Sequence, residues 1–106
     1  MVTDQLIQQA ARRLVEAARG PAKVILFGSH ARGDAGPDSD LDFLVIERDV
    51  PDRHGEMVRL SRALRPLGFP ADIVVVSERH AEEWGEVEGT VVHAALTEGR
   101  VLSDPA

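Results

Sequence analysis

Residues 23 to 46 read KVILFGSHARGDAGPDSDLDFLVI, and this stretch decides the fold. It contains two short apolar runs, Lys23 to Phe27 and Leu41 to Ile46, separated by a loop rich in glycine, proline and aspartate. Short apolar runs bounded by such residues are typical of buried strands. The connecting loop, of about a dozen residues, is short for a helical crossover. We therefore expect the two strands to pair in antiparallel orientation.

Helical and strand patterns continue on both sides of this stretch. Residues 3 to 19 repeat apolar positions at helical spacing behind Thr3, a candidate N-cap. Residues 52 to 65 predict a second helix, which leads into a third strand over Asp72 to Val76. Residues 80 to 98 predict a last helix, although two glycines weaken its first half. A short apolar segment follows that helix.

This order of elements predicts an α/β (α+β) fold with a small mixed β-sheet and flanking helices. A helix joins the second and third strands, so these should run parallel. With 106 residues the chain is expected to form a single domain over residues 1–106. Trp84, at helical spacing in the last segment, is expected in the core, with an exposed partner surface as the alternative.

Composition excludes several classes of function. Hydrophobic residues make up 43% and charged residues 28% of the chain, as in globular proteins. No apolar run is long enough to span a membrane, and we expect a cytoplasmic location. The absence of cysteine excludes disulfides and thiolate-bound zinc. A net charge of -6 makes a long nucleic-acid partner unfavourable.

Three aspartates are the candidate metal ligands and catalytic residues. Asp40, Asp42 and Asp72 stand at the beginnings of the second and third strands, which should meet at one edge of the sheet. Asp40 and Asp42 would share a face about 7 Å apart. Carboxylates suit magnesium, and two such ions about 4 Å apart can promote an in-line displacement at phosphorus. We expect a nucleoside triphosphate as the substrate of such a site.

The turn after the first strand is the candidate phosphate site. Gly28 would let a phosphate approach the backbone, and Ser29 could donate its hydroxyl and its N–H. Arg32 could neutralise phosphate charge, but pairing with Asp34 or Asp38 to brace the loop is an equally good interpretation.

The string GSHARGDAGPDSDLDFLV, residues 28 to 45, resembles the signature of the DNA polymerase β-like nucleotidyltransferase superfamily, in particular its minimal nucleotidyltransferase (MNT) branch. The resemblance implies that fold, with Asp40 and Asp42 binding magnesium and Asp72 as the third carboxylate. It also implies that Gly28 and Ser29 hold the triphosphate. Many MNT proteins are encoded with a helical HEPN toxin, and some neutralise it by transferring AMP to a tyrosine. One departure is the ending GRVLSD, where similar proteins often carry an aromatic residue after the leucine.

We therefore expect magnesium-dependent transfer of a nucleoside monophosphate, AMP from ATP, to a hydroxyl on a HEPN-type helical partner. One alternative is a non-catalytic antitoxin or binding subunit that keeps the fold. Another is transfer to a small molecule, which normally requires an additional domain. Association of the chain with further copies of itself stays open.

Several features have simpler structural explanations. Asp38, Asp40 and Asp42 match the first, third and fifth positions of an EF-hand calcium loop, but Phe43 replaces its glycine and Asp49 its final glutamate. Asp72 could have a purely structural role, and the Gly-Ser pair could be an ordinary turn. The four histidines show no paired ligand spacing and are expected at surface or helix positions; they are His30, His54, His80 and His93.

Overall fold

A computed structural model describes residues 2–105, which form alternating helices and strands. The α-helices and β-strands are, in chain order, α1 (Asp4–Ala17), β1 (Ala22–Phe27), α2 (Ser29–Arg32), β2 (Leu41–Glu47), α3 (Arg53–Leu64), β3 (Ala71–Ser77), α4 (Glu78–Trp84), α5 (Val91–Glu98) and β4 (Arg100–Ser103). None of these helices is both long and apolar enough to cross a bilayer.

The four strands form one mixed sheet in the order β3-β2-β1-β4. β1 runs antiparallel to both β2 and β4, whereas β2 runs parallel to β3. Both predicted strand pairings are therefore confirmed. The short apolar segment after the last helix is β4, which extends the sheet on the β1 side.

Helices cover both faces of this sheet. Alternate residues of a strand point to opposite faces, and two buried clusters divide the strands in this way. Phe43 and Val45 of β2 pack in the cluster that contains α1 and α3. Leu44 and Ile46 pack in the cluster that contains α4 and α5. The sheet thus separates an α1/α3 layer from an α4/α5 layer.

Side-chain caps fix where the first helices begin. The hydroxyl oxygen of Thr3 accepts a hydrogen bond from the Leu6 N–H at 3.1 Å, as predicted for the N-cap of α1. Asp52 caps α3 by accepting from the Gly55 N–H at 3.0 Å. The helix predicted over residues 52–65 ends at Leu64, and a single 3-10 turn follows at Arg65–Leu67.

The prediction of a single helix over residues 80–98 is wrong. The segment forms two helices, α4 and α5, joined by a turn over residues 85–90. Gly85 and Gly89 lower the helix propensity of that turn. Thr90 then starts α5 by accepting a hydrogen bond from the His93 N–H at 3.1 Å. The core position expected for Trp84 is also wrong, because this side chain lies at the end of α4 and is 44% exposed.

Two carboxylates are buried at the end of β2 that is remote from its aspartates. Glu47 is 3% exposed and Glu56 on α3 is 4% exposed. Glu56 pairs with the guanidinium of Arg59 and accepts the Arg19 N–H at 3.4 Å. Burial raises the pKa of Glu47 to about 7, with a further contribution from its hydrogen bond to Glu56. Within residues 2–105, Oε2 of Glu47 has no hydrogen-bond partner.

Candidate active site

The predicted aspartates lie at one edge of the sheet. Asp42 on β2 and Asp72 on β3 are partners in the parallel register. Asp40 lies immediately before β2, which begins at Leu41. Adjacent strands are about 4.8 Å apart, and paired residues present their side chains on the same face. The structure therefore brings Asp42 and Asp72 side by side, with Asp40 next to them in the chain.

These side chains are on the α4/α5 face of the sheet. Phe43, the next residue along β2, points into the α1/α3 layer, so Asp42 points to the opposite face. Leu44 also points to that opposite face, where it packs in the α4/α5 layer. Asp42 is half-buried, whereas Asp40 and Asp72 are exposed. The helices that cover this face of the sheet are α4 and α5.

Negative charge accumulates around Asp42. Partial burial raises the pKa of this carboxyl, and the charges of Asp72 and Asp40 raise it further. His30 and Arg32 act in the opposite direction, but the net shift of the Asp42 pKa is upward. A cation bound at this position would relieve the repulsion among the carboxylates.

Gly28 packs directly against the carboxylate of Asp42. Its neighbour Phe27 ends β1 and is the register partner of Asp42. A Cβ atom on residue 28 would overlap Oδ2 of Asp42, and the φ angle of 78° is one that side-chain-bearing residues rarely adopt. Both conditions require glycine. The Gly-Ser turn and the aspartates thus form one continuous surface.

The loop between β1 and β2 is braced by its own side chains. Ser29 begins the short helix α2. Nε2 of His30 lies 3.1 Å from the Ser39 carbonyl oxygen. Arg32 donates through Nε to Asp34 at 3.3 Å, and its Nη1 lies 3.5 Å from a carboxylate oxygen of Glu98 on α5. The hydrogen bond and charge of Asp34 raise the pKa of Arg32. Of the two interpretations of Arg32, the structure contains the pairing with Asp34.

A groove of about 470 Å³ begins at this turn and follows α5. Gly28 and Arg32 line one end of it, and Phe27 lies beside them. Its other wall comes from the turn before α5 and from the length of α5 itself, through Gly89, Thr90, Val91, His93, Ala94, Thr97 and Glu98. Its volume is within the range of small-molecule sites. The pattern of the sequence gave no indication of this groove.

The aspartates suit a hard divalent cation by their chemistry. Carboxylate oxygens are the ligands that magnesium prefers, and the mutual repulsion at Asp42 favours a bound cation. Within residues 2–105, no three His, Asp or Glu side chains stand close enough together to hold a metal ion as they are oriented. The EF-hand alternative does not fit, because residues 41–47 of the required loop form β2.

Comparisons with known proteins agree with this geometry. A family model described as a nucleotidyltransferase domain matches residues 7–99. The chain belongs to this nucleotidyltransferase domain family. A solved structure assigned as a minimal nucleotidyltransferase is 32% identical, with a TM-score of 0.63, and the match covers 94% of this chain and 95% of that one. The superfamily predicted from residues 28 to 45 is therefore confirmed.

Two toxin–antitoxin structures share the nucleotidyltransferase fold. One was solved with AMP-PNP and is 22% identical with a TM-score of 0.58, covering 92% of this chain and 73% of that one. The other joins a tri-AMPylated Shewanella oneidensis HEPN toxin with an MNT antitoxin; it is 21% identical with a TM-score of 0.55, covering 96% and 73%. No match was found among curated protein sequences.

Proposed function

We propose that this nucleotidyltransferase is a single domain that transfers AMP from ATP to a hydroxyl group on a HEPN-type helical protein, and that it depends on magnesium. The observation that carries the proposal is the close approach of Gly28 to Asp42. This contact places a turn suited to phosphate beside the carboxylate of Asp42, and Asp72 lies opposite Asp42 on the next strand. These few residues can hold both a nucleoside triphosphate and a cation.

Each residue has a distinct role in the proposed reaction. Asp40 and Asp42 would hold magnesium, which activates the acceptor oxygen and neutralises the triphosphate when bound. Asp72 is the third carboxylate; it accepts the hydrogen bond of the acceptor hydroxyl and then its proton. Gly28 and Ser29 hold the triphosphate through backbone and hydroxyl groups.

The transfer is a displacement at the α-phosphorus. The acceptor oxygen forms a bond to that atom, the bond to the bridging oxygen breaks, and pyrophosphate leaves. Arg32 lies at the phosphate end of the groove, where its guanidinium can offset the charge that develops on the leaving group.

Related structures and the net charge of the chain support the choice of ATP and of a protein partner. One neighbour was solved with AMP-PNP, and another contains an AMPylated HEPN toxin. The net charge of -6 is unfavourable for a polyanionic acceptor. A protein hydroxyl therefore fits better than a nucleic-acid end.

The test is transfer of label from ATP labelled at the α-phosphate, with magnesium and the co-encoded helical partner. Asp42→Asn keeps the size of the side chain but removes its charge, and we expect it to abolish labelling. Asp49→Asn is the matched control, because Asp49 is exposed beyond the remote end of β2. If Asp42→Asn neutralises the partner as well as the wild type and no label moves in either, the protein acts by binding alone and the enzymatic proposal is wrong.

A further inference from the structure

The groove along α5 is continuous with the proposed phosphate site. It runs from Gly28 and Arg32 along α5, on the same face of the sheet as Asp42. Phe27 contributes a half-buried aromatic ring near its beginning, and Val91 and Ala94 contribute apolar surface from α5. This mixture of apolar wall and a few polar groups is typical of sites that hold a small molecule.

His93 is one of the residues that line this groove, and its ring carries a hydrogen-bond acceptor. Its Nδ1 lies 2.9 Å from the carbonyl oxygen of Gly85. Because a carbonyl oxygen can only accept, Nδ1 must carry the hydrogen of the neutral ring. Nε2 is then an acceptor, and no partner for it is found in the described part of the chain. The contact with Gly85 therefore fixes both the orientation of the ring and its tautomer.

The strand order separates the two substrates of the proposed reaction. Asp42 on β2 lies between β3, which carries Asp72, and β1, which leads to Gly28 and the groove. The acceptor hydroxyl belongs on the Asp72 side. The groove lies on the other side and begins at Gly28, so a nucleotide whose triphosphate lies at that turn can extend its nucleoside along α5.

We propose that this groove holds the nucleoside part of the triphosphate, and that Nε2 of His93 selects a base with an exocyclic amino group by accepting its hydrogen. The inference rests on the proposed function, since it assumes that the triphosphate lies at Gly28. Adenine presents an amino group at position 6, whereas hypoxanthine presents an oxygen there. That oxygen would face a second acceptor and leave both unpaired.

The first test compares the affinities of Mg-ATP and Mg-ITP for the protein without a partner, by isothermal titration calorimetry at pH 8. The two nucleotides differ at position 6 and share the same triphosphate. We expect the wild type to prefer ATP by about tenfold, the size of one hydrogen bond lost with its partner left unpaired. His93→Asn keeps a donor that can reach the Gly85 carbonyl but lacks Nε2, and its preference should fall to about twofold or less.

His80→Asn is the matched control. His80 stacks on Trp84 outside the groove, with ring centroids 6.0 Å apart, and its replacement should leave the tenfold preference intact. A second variant covers the case in which His93→Asn does not fold. Ala94→Phe fills the groove and should weaken Mg-ATP binding at least tenfold without weakening magnesium tripolyphosphate.

The outcomes separate the two proposals. If the wild type binds both nucleotides equally, if His93→Asn keeps the preference, or if Ala94→Phe binds ATP normally, the nucleoside site is elsewhere although nucleotidyl transfer stands. If the wild type binds neither nucleotide nor tripolyphosphate, both proposals are wrong.

Discussion

Glu47→Gln should stabilise the protein, and the gain should grow with pH. The pKa of Glu47 is about 7 in the folded protein against an ordinary 4.5, so the folded state binds this proton more tightly than the unfolded state. The resulting stability is complete below pH 4.5 and is lost as the pH rises through 7. Each pKa unit corresponds to about 1.4 kcal/mol, so the shift of the Glu47 pKa sets an upper limit of about 3.5 kcal/mol. Because part of this shift comes from the neighbouring Glu56, which can adjust its own contacts in the variant, we expect about 2 kcal/mol.

The assay is urea unfolding of the wild type and the variant at pH 5 and pH 8. The amide of glutamine can donate to Glu56 as the protonated carboxyl does, so the two proteins should differ little at pH 5. At pH 8 the variant should be more stable by about 2 kcal/mol, with a higher midpoint and an unchanged slope. Glu16→Gln on the exposed side of α1 is the control and should change stability by less than about 0.5 kcal/mol at either pH. A variant that is less stable than the wild type at pH 8 would refute the reasoning.

Three further substitutions, one of them with a matched control, test the site and the core. Gly28→Ala should abolish nucleotidyl transfer, because the added Cβ overlaps the carboxylate of Asp42. Gly33→Ala is its control: φ there is 84°, but no heavy atom lies within 4 Å of the added Cβ. This control should lose only about 1 kcal/mol of stability in denaturant unfolding and retain transfer. Phe43→Ala, at a position with 0% exposure, should cost about 3–5 kcal/mol in the same measurement; a loss below 1 kcal/mol would contradict its place in the core. Glu98→Gln frees Arg32 from one ion pair and should tighten Mg-ATP binding up to about fivefold in calorimetry, an effect that must shrink with added salt.

The parts of the fold that follow from local rules could be predicted from the sequence. Apolar runs predicted the first three strands, and Thr3 predicted the beginning of α1. The short loop after β1 predicted the antiparallel pair, and the helix after β2 predicted the parallel pair. Two short helices were predicted as one, because the apolar positions on both sides of the turn at residues 85–90 keep helical spacing. Trp84 was misplaced for the same reason.

The sequence predicts only the part of the candidate site that lies in or next to the motif of residues 28 to 45. The alternation of strand residues and the parallel pairing bring Asp42 next to Asp72, and both rules can be applied to a sequence. The pairing of Arg32 with Glu98 joins two distant segments, and no spacing in the chain indicates it. The same holds for His93, whose tautomer depends on a carbonyl eight residues away that only the turn brings close.

The two ends of β2 offer an experimental advantage. Asp42 lies at one end and Glu47 at the other, about 17 Å apart by strand rise. Effects at sites so far apart are usually additive. A Glu47→Gln background could therefore add stability to inactive variants at the aspartates without altering the site. Such stabilised inactive forms could then be used to trap the nucleotide and the partner together for structure determination.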